Sequence, residues 1–154
     1  MSNGENWKSG AKKFESFEMK MFLGEYNPNI TSGNRIALPK KHREQITEDA
    51  VVLSKGFEKC VLIYDYADWS DRVERQVDNL AGAAKRSDLE RYIYTSAVEA
   101  SIDTQGRLVI PPALKAYAGI KEKTAVIGVG DHIEVWDKDA WNKHLENISG
   151  RITD

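Results

Sequence analysis

The chain has 154 residues, 41% hydrophobic and 30% charged, the composition of a soluble globular protein and the length of one domain or two small ones. Its formal net charge of −2 counts against a nucleic-acid binder, which is usually basic. No apolar run approaches the roughly 20 residues that span a bilayer, and a single cysteine, Cys60, excludes a disulfide framework or a Cys-rich zinc site.

Residues 1–20 are polar and carry no structural period. They are expected to form an N-terminal extension, disordered or left from cloning, with Phe14, Phe17 and Met19 as the groups able to dock. Met21-Phe22-Leu23-Gly24-Glu25-Tyr26 predicts a short strand and Asn27-Pro28-Asn29 a turn. From Ile30 to Leu38 the chain alternates around Ser32-Gly33-Asn34, a tight loop, since Gly and Asn tolerate positive φ. Pro39 suits a first helical turn, so a short helix is expected over 39–45. Ala50-Val51-Val52-Leu53 and Cys60-Val61-Leu62-Ile63-Tyr64 flank the Lys55-Gly56 turn as a hairpin. A helix capped by Asp68 follows, with Trp69, Val73, Val77, Leu80, Ala81 and Ala84 at helical spacing. Ser87 and Glu90 read as a capping box opening a linker helix to about Tyr94.

The same order then returns. Ile30, Arg35, Ile36, Leu38 and Pro39 are answered by Ile102, Arg107, Leu108, Ile110 and Pro111, each 72 positions later. Ile63-Tyr64-Asp65 and Trp69 are answered by Val135-Trp136-Asp137 and Trp141 at the same offset. Gly106 stands where Asn34 stood, meeting the same backbone demand. The second half adds a helix over 111–117, a hairpin around Gly130-Asp131, and a helix from Asp139 using Trp141, Leu145 and Ile148. An internal duplication is the reading: repeat one over 21–86, a linker helix over 87–95, and repeat two over 96–150. Each half alone would leave much of its surface wet, so a shared core is expected.

Charge is unevenly placed. From Thr31 to Arg43 the chain carries Arg35, Lys40, Lys41 and Arg43 and no acid. Phosphates and guanine edges are what such cations bind. Arg35 is a candidate reader of bases or phosphate, Asn34 adds a hydrogen bond, and Lys40, Lys41 and Arg43 neutralise phosphates. Asp103 and Arg107 form either a structural ion pair or part of the same interface. Trp69 and Trp141 read as core or subunit contacts, and Cys60 as buried and inert. His42, His132 and His144 are too scattered for a metal site, though His42 suits a phosphate contact. No nucleophile elbow or phosphate-cradling glycine motif is present, so an enzyme, a cofactor and a small-molecule substrate are not expected.

Met21-Phe22-Leu23-Gly24, the paired loop–Arg–strand–Pro units and the duplication together resemble the MraZ family. The resemblance covers about residues 21–150. It implies a mainly β fold with short helices (α+β), a duplicated AbrB-like swapped-hairpin or double-psi β-barrel. It further implies a cytoplasmic, nucleoid-associated DNA-binding regulator, a ring homo-oligomer on tandem repeats at the promoter of a cell-division and cell-wall gene cluster. The family's D-x-x-x-R motif is intact as Asp103-Thr104-Gln105-Gly106-Arg107. In repeat one Thr31 stands at the Asp position while Arg35 is kept. Carried over, the motif makes Thr31, Asn34, Arg35, Asp103, Gln105 and Arg107 candidates for double-stranded DNA, with Lys40, Lys41 and Arg43 beside them. Competing readings are an AbrB-type transition regulator or antitoxin, and a ring-forming interaction protein without DNA binding.

Overall fold

A computed structural model describes residues 20–82 and 85–153. In chain order the first half supplies β1 (Glu25–Tyr26), β2 (Arg35–Ala37), α1 (Lys40–Arg43), β3 (Ala50–Lys55), β4 (Val61–Asp65) and α2 (Trp69–Leu80). A connecting helix, α3 (Arg86–Ser96), leads to β5 (Val98–Ser101), β6 (Arg107–Val109), α4 (Pro112–Tyr117), β7 (Thr124–Gly128), β8 (Ile133–Asp137) and α5 (Lys138–Thr153). The fold is α+β and the strands are antiparallel: one six-stranded sheet in the order β1-β7-β8-β4-β3-β5, and a separate β2-β6 ribbon.

The pairing registers reveal the symmetry. Leu62 pairs with Glu134 in one ladder and Ile36 with Leu108 in the other. Each pair joins positions 72 apart, so a pseudo-two-fold axis passes through both. The offset is not uniform, however. Tyr64 pairs with Val52, but Trp136 pairs with Ala125, 73 positions after Val52. The second half has one extra residue before its hairpin and regains step in a turn shorter by one.

Equivalent residues meet in one core: Ile36 and Leu108, Leu38 and Ile110, Val61 and Ile133, Ile63 and Val135. Side chains alternate along a strand, so the opposite face of β4 and β8 carries Leu62, Tyr64 and Trp136, covered by Trp69 and Trp141. All of β4 is therefore buried. Val73 and Val77 of α2 pack on Leu89 and Ile93 of α3. Cys60 lies buried in the second cluster, where burial holds its thiol protonated.

Several expected elements take a different form. The strand expected from Met21 is reduced to β1, because Gly24 at φ 87° breaks it, leaving Phe22 bridged to Gly130. Gly128 admits this crossing: a Cβ there would sit 2.3 Å from Leu23 N. The helix expected over 39–45 spans only Lys40–Arg43, and α2 ends at Leu80 before Ala81 and Ala84. Ser87 is not the cap: α3 takes Lys85 as its N-cap, two residues too early for the capping box, so Ser87 lies within the first turn. Asp68 makes no cap hydrogen bond either. Asp65 holds this corner, accepting from Ala67 N–H and from Thr47 N–H and hydroxyl. Asp137 repeats the device with Lys121 and Ala140. The expected extension falls on residues 1–19, outside the described residues, except Lys20. That residue is buried, with Nζ 2.6 Å from the buried Asp65 carboxylate.

A second ionic cluster sits at the β7–β8 turn. His132 is stacked on Tyr64, with Nδ1 2.7 Å from Asp131 and Nε2 3.0 Å from Glu134. Burial disfavours its charged form, but the two carboxylates outweigh this and push its pKa up from 6.5 to about 9. This contribution to stability is complete below the unfolded value near 6.5 and disappears as pH rises through about 9. Calorimetric unfolding should therefore show stability falling between about pH 6.5 and 9, by on the order of 3 kcal/mol. His132→Gln should be less stable at the acid end of that window and flat across it.

Candidate nucleic-acid interface

The candidate site lies where the two halves cross. β2 and β6 pair Arg35 with Val109, Ile36 with Leu108 and Ala37 with Arg107. Ile36 and Leu108 point into the core and are fully buried, leaving the other four on the outer face. Arg35 and Arg107 thus hold diagonal corners of one small ribbon, with Ala37 and Val109 at the others.

Each arginine ends a loop closed by its own backbone. Thr31 N–H bonds Arg35 C=O at 2.8 Å, and Asp103 N–H bonds Arg107 C=O at 2.8 Å. Within that shared frame the loops differ. Asp103 Oδ1 accepts from the N–H groups of Arg107 and Gln105, each at 2.9 Å, and these bonds hold its carboxyl below the usual carboxylate range. Its Oδ2 lies 3.5 Å from Arg107 Nε, an ion pair within the loop. Thr31 donates its hydroxyl to Arg35 C=O at 3.3 Å. Lacking the carboxylate, the first loop turns through two left-handed residues, Gly33 at φ 80° and Asn34 at φ 58°. The second loop needs only Gly106, at φ 77°. Arg35 folds onto its own turn, Nη1 donating to Ser32 C=O at 3.1 Å in space that a Cβ at Gly33 would take.

Each loop is also braced by the opposite half. Leu38 N–H bonds Gly106 C=O at 3.0 Å, and Ile110 N–H bonds Asn34 C=O at 2.8 Å. Arg43 and Lys115, again 72 apart, cross over in the same way. Lys115 Nζ donates to Asn34 Oδ1 at 3.1 Å. Arg43 Nε donates to Leu38 C=O at 3.1 Å, and its guanidinium lies over Gly106, where a Cβ would come within 2.7 Å of Cζ.

The structure thus gathers Thr31, Asn34, Arg35, Asp103, Gln105 and Arg107 on or beside one ribbon. Lys40 and Lys41 are exposed on α1, at the rim of a shallow groove of about 420 Å³ formed with Tyr26, Pro28, Ala37 and Pro39. Two assignments change. Arg43 is a half-buried brace rather than a free cation. His42 is buried, edge-on to Phe22 and Tyr26, with Nε2 3.1 Å from Leu23 C=O. Burial lowers its pKa and removes it from phosphate contact. Lys115 was not anticipated; its signal is its place 72 residues after Arg43.

The family model described as "MraZ protein, putative antitoxin-like" matches residues 21–91 and again 93–152. The transcriptional regulator MraZ of Paenarthrobacter aurescens is 39% identical over 126 residues, 81% of this chain and 87% of that protein. The chain belongs to the MraZ family. Another MraZ, from Lachnoclostridium phytofermentans, is 35% identical over 134 residues, 87% of this chain and 94% of that protein. These MraZ relatives carry the name of a transcriptional regulator, not of an enzyme. The MraZ match runs twice along the chain.

Asp103→Ala removes the acceptor of two loop N–H groups. Amide hydrogen exchange of Gln105 and Arg107 should then accelerate, by on the order of tenfold, while the Thr31 loop keeps its protection. Because the Asp103 pKa is depressed, its hold is present above the unfolded value of 3.8 and is lost as pH falls below the folded one.

Proposed function

We propose that this chain is a sequence-specific DNA-binding transcriptional regulator, acting in the cytoplasm at the nucleoid. On this reading it binds tandem repeats at the promoter of a cell-division and cell-wall gene cluster as a ring homo-oligomer. One observation carries the proposal: the outer ribbon face, with Arg35 and Arg107 at diagonal corners and exposed Lys40 and Lys41 beside it. A two-stranded ribbon fits the major groove, about 12 Å wide, where arginine to guanine O6/N7 is the commonest specific contact. Val109, 45% exposed, offers an apolar surface of the kind a thymine methyl accepts. Lys40 and Lys41 suit phosphates, which position a protein without reading sequence.

The sheet edges support assembly. β1 and β5 are its terminal strands. Exposed Met21, Leu23 and Val129 lie at the first edge, and exposed Tyr94 and Val98 at the second. The edges differ, so contact between them is head-to-tail, which closes into a ring when the rotation permits. A ring multiplies weak contacts through effective concentration, which reconciles DNA binding with a net charge of −2.

Fluorescence anisotropy on the duplex directly upstream of this protein's own gene, against a scrambled duplex over a salt series, tests the reading. Preference for the upstream DNA is expected, with Arg35→Ala costing about 1–3 kcal/mol. Replacing Lys40 and Lys41 with alanine should lower the salt slope by about 2 and weaken both duplexes alike. Equal binding to both leaves only a basic surface. No binding at modest salt leaves a protein-interaction ring. Sedimentation should show one closed oligomer, dissociated by Leu23→Asp or Val98→Asp.

A further inference from the structure

We propose that Lys115, supplied by the second half, is the positioning residue that orients the Asn34 amide of the first loop for DNA. The inference rests on the DNA-binding reading above and names how one side chain of that site is set. A lysine ammonium donates and never accepts, so the amide atom facing it is Oδ1. With Oδ1 held at 3.1 Å and the Asn34 carbonyl taken by Ile110 N–H, the side-chain NH2 is left over. That Nδ2 has no hydrogen-bond partner among the described residues and is not among the buried unpaired atoms, so it reaches solvent.

A free asparagine amide turns over and offers donor or acceptor to whatever it meets. One pinned through its oxygen offers donors only, which suits guanine O6 or N7, thymine O4 or a phosphate oxygen, and rejects the exocyclic amines of cytosine and adenine. The backbone assists, since Asn34 is locked at φ 58° in a turn braced from the opposite strand. The second loop has no such device. Arg43 reaches across in the place of Lys115, but it meets Gly106, which has no side chain to orient. Lys115 therefore acts on the first loop alone, through Asn34, and it breaks the likeness of the two loops.

The test compares wild type, Lys115→Ala, Lys115→Arg, Asn34→Ala and the Lys115→Ala/Asn34→Ala double variant. Each is titrated on the upstream and scrambled duplexes by anisotropy, after thermal melts confirm folding. Lys115→Ala and Asn34→Ala should each cut the preference for upstream DNA, by about tenfold. The double variant should be no worse than Asn34→Ala, and Lys115→Arg, which keeps a donor, should retain most of the preference. A Lys115→Ala variant that weakens both duplexes equally contributes charge only, and overturns the proposal. So do losses that multiply in the double variant. A second readout needs no DNA: the Asn34 side-chain amide signals in the NMR spectrum should shift, and exchange with water faster, in Lys115→Ala. Unchanged signals refute the positioning role even if wild type discriminates between the duplexes. Shifted signals with no discrimination by wild type sink the DNA reading instead.

Discussion

The pairing of Ile36 with Leu108 constrains the whole molecule. Both are fully buried, and each is flanked by a neighbour that must not be: Arg35 on one strand, Arg107 on the other. Slipping either strand by one residue turns every side chain to the opposite face. An arginine would then enter a dry core with no counter-charge, at a cost no nearby contact offsets. The same slip would break the two cross-bonds that tie Leu38 to Gly106 and Ile110 to Asn34. Register, loop bracing and the outward aim of both arginines thus have one cause. The larger sheet repeats the symmetry at Leu62 and Glu134, so a single axis organises both layers. Neither half owns its core, since each buries its strands against the other.

Duplicated residues stay alike where the axis makes them share that core, and diverge where they face outward. Ile36, Leu38, Val61 and Ile63 keep apolar partners at Leu108, Ile110, Ile133 and Val135. The corner carboxylates Asp65 and Asp137 are both kept, and each accepts from backbone N–H groups at its corner. Outside, Thr31 is answered by Asp103 in the other repeat, Asn34 by Gly106, and Lys40-Lys41 by Pro112-Ala113. Positive charge is thereby moved toward one end of a ribbon whose backbone is nearly symmetric. A symmetric ribbon would meet DNA equally in either sense. This one has a direction, as subunits joined head-to-tail along tandem repeats would require.

Much of this was legible in the sequence because a duplication writes its core twice. The loops, the hairpins and the arginine positions follow from the 72-residue offset and from Gly and Asn at left-handed sites. Which strands pair was not legible, since that depends on an axis no local pattern encodes. Lys20 was invisible for a related reason: its partner, Asp65, is 45 positions away and no period links them. His42 was misread because a run of basic residues looks like one solvated stripe. In α1, Lys40 and Lys41 face water while His42 turns inward onto Phe22 and Tyr26. Arg43 then spends its guanidinium on Leu38 and Gly106. Four successive basic residues reduce to two exposed cations.

The two arginines are also unequal, and in the direction opposite to the surrounding charge. Arg35 uses Nη1 on Ser32, so one prong of its fork is committed before any ligand arrives. Arg107 turns its Nε toward Asp103, where it is buried. Its two terminal nitrogens have no hydrogen-bond partner among the described residues and reach solvent. An end-on pair of donors is the geometry that grips guanine O6 and N7 together. The acid that balances Arg107 in charge thus lies beside its stem, 3.5 Å from Nε, and leaves the fork open. Where Thr31 replaces that acid, the loop gains net positive charge but its arginine must find a carbonyl instead. On the DNA-binding reading proposed above, the work would be divided: the second loop would supply the aimed guanidinium, and the first would supply charge and the Asn34 amide.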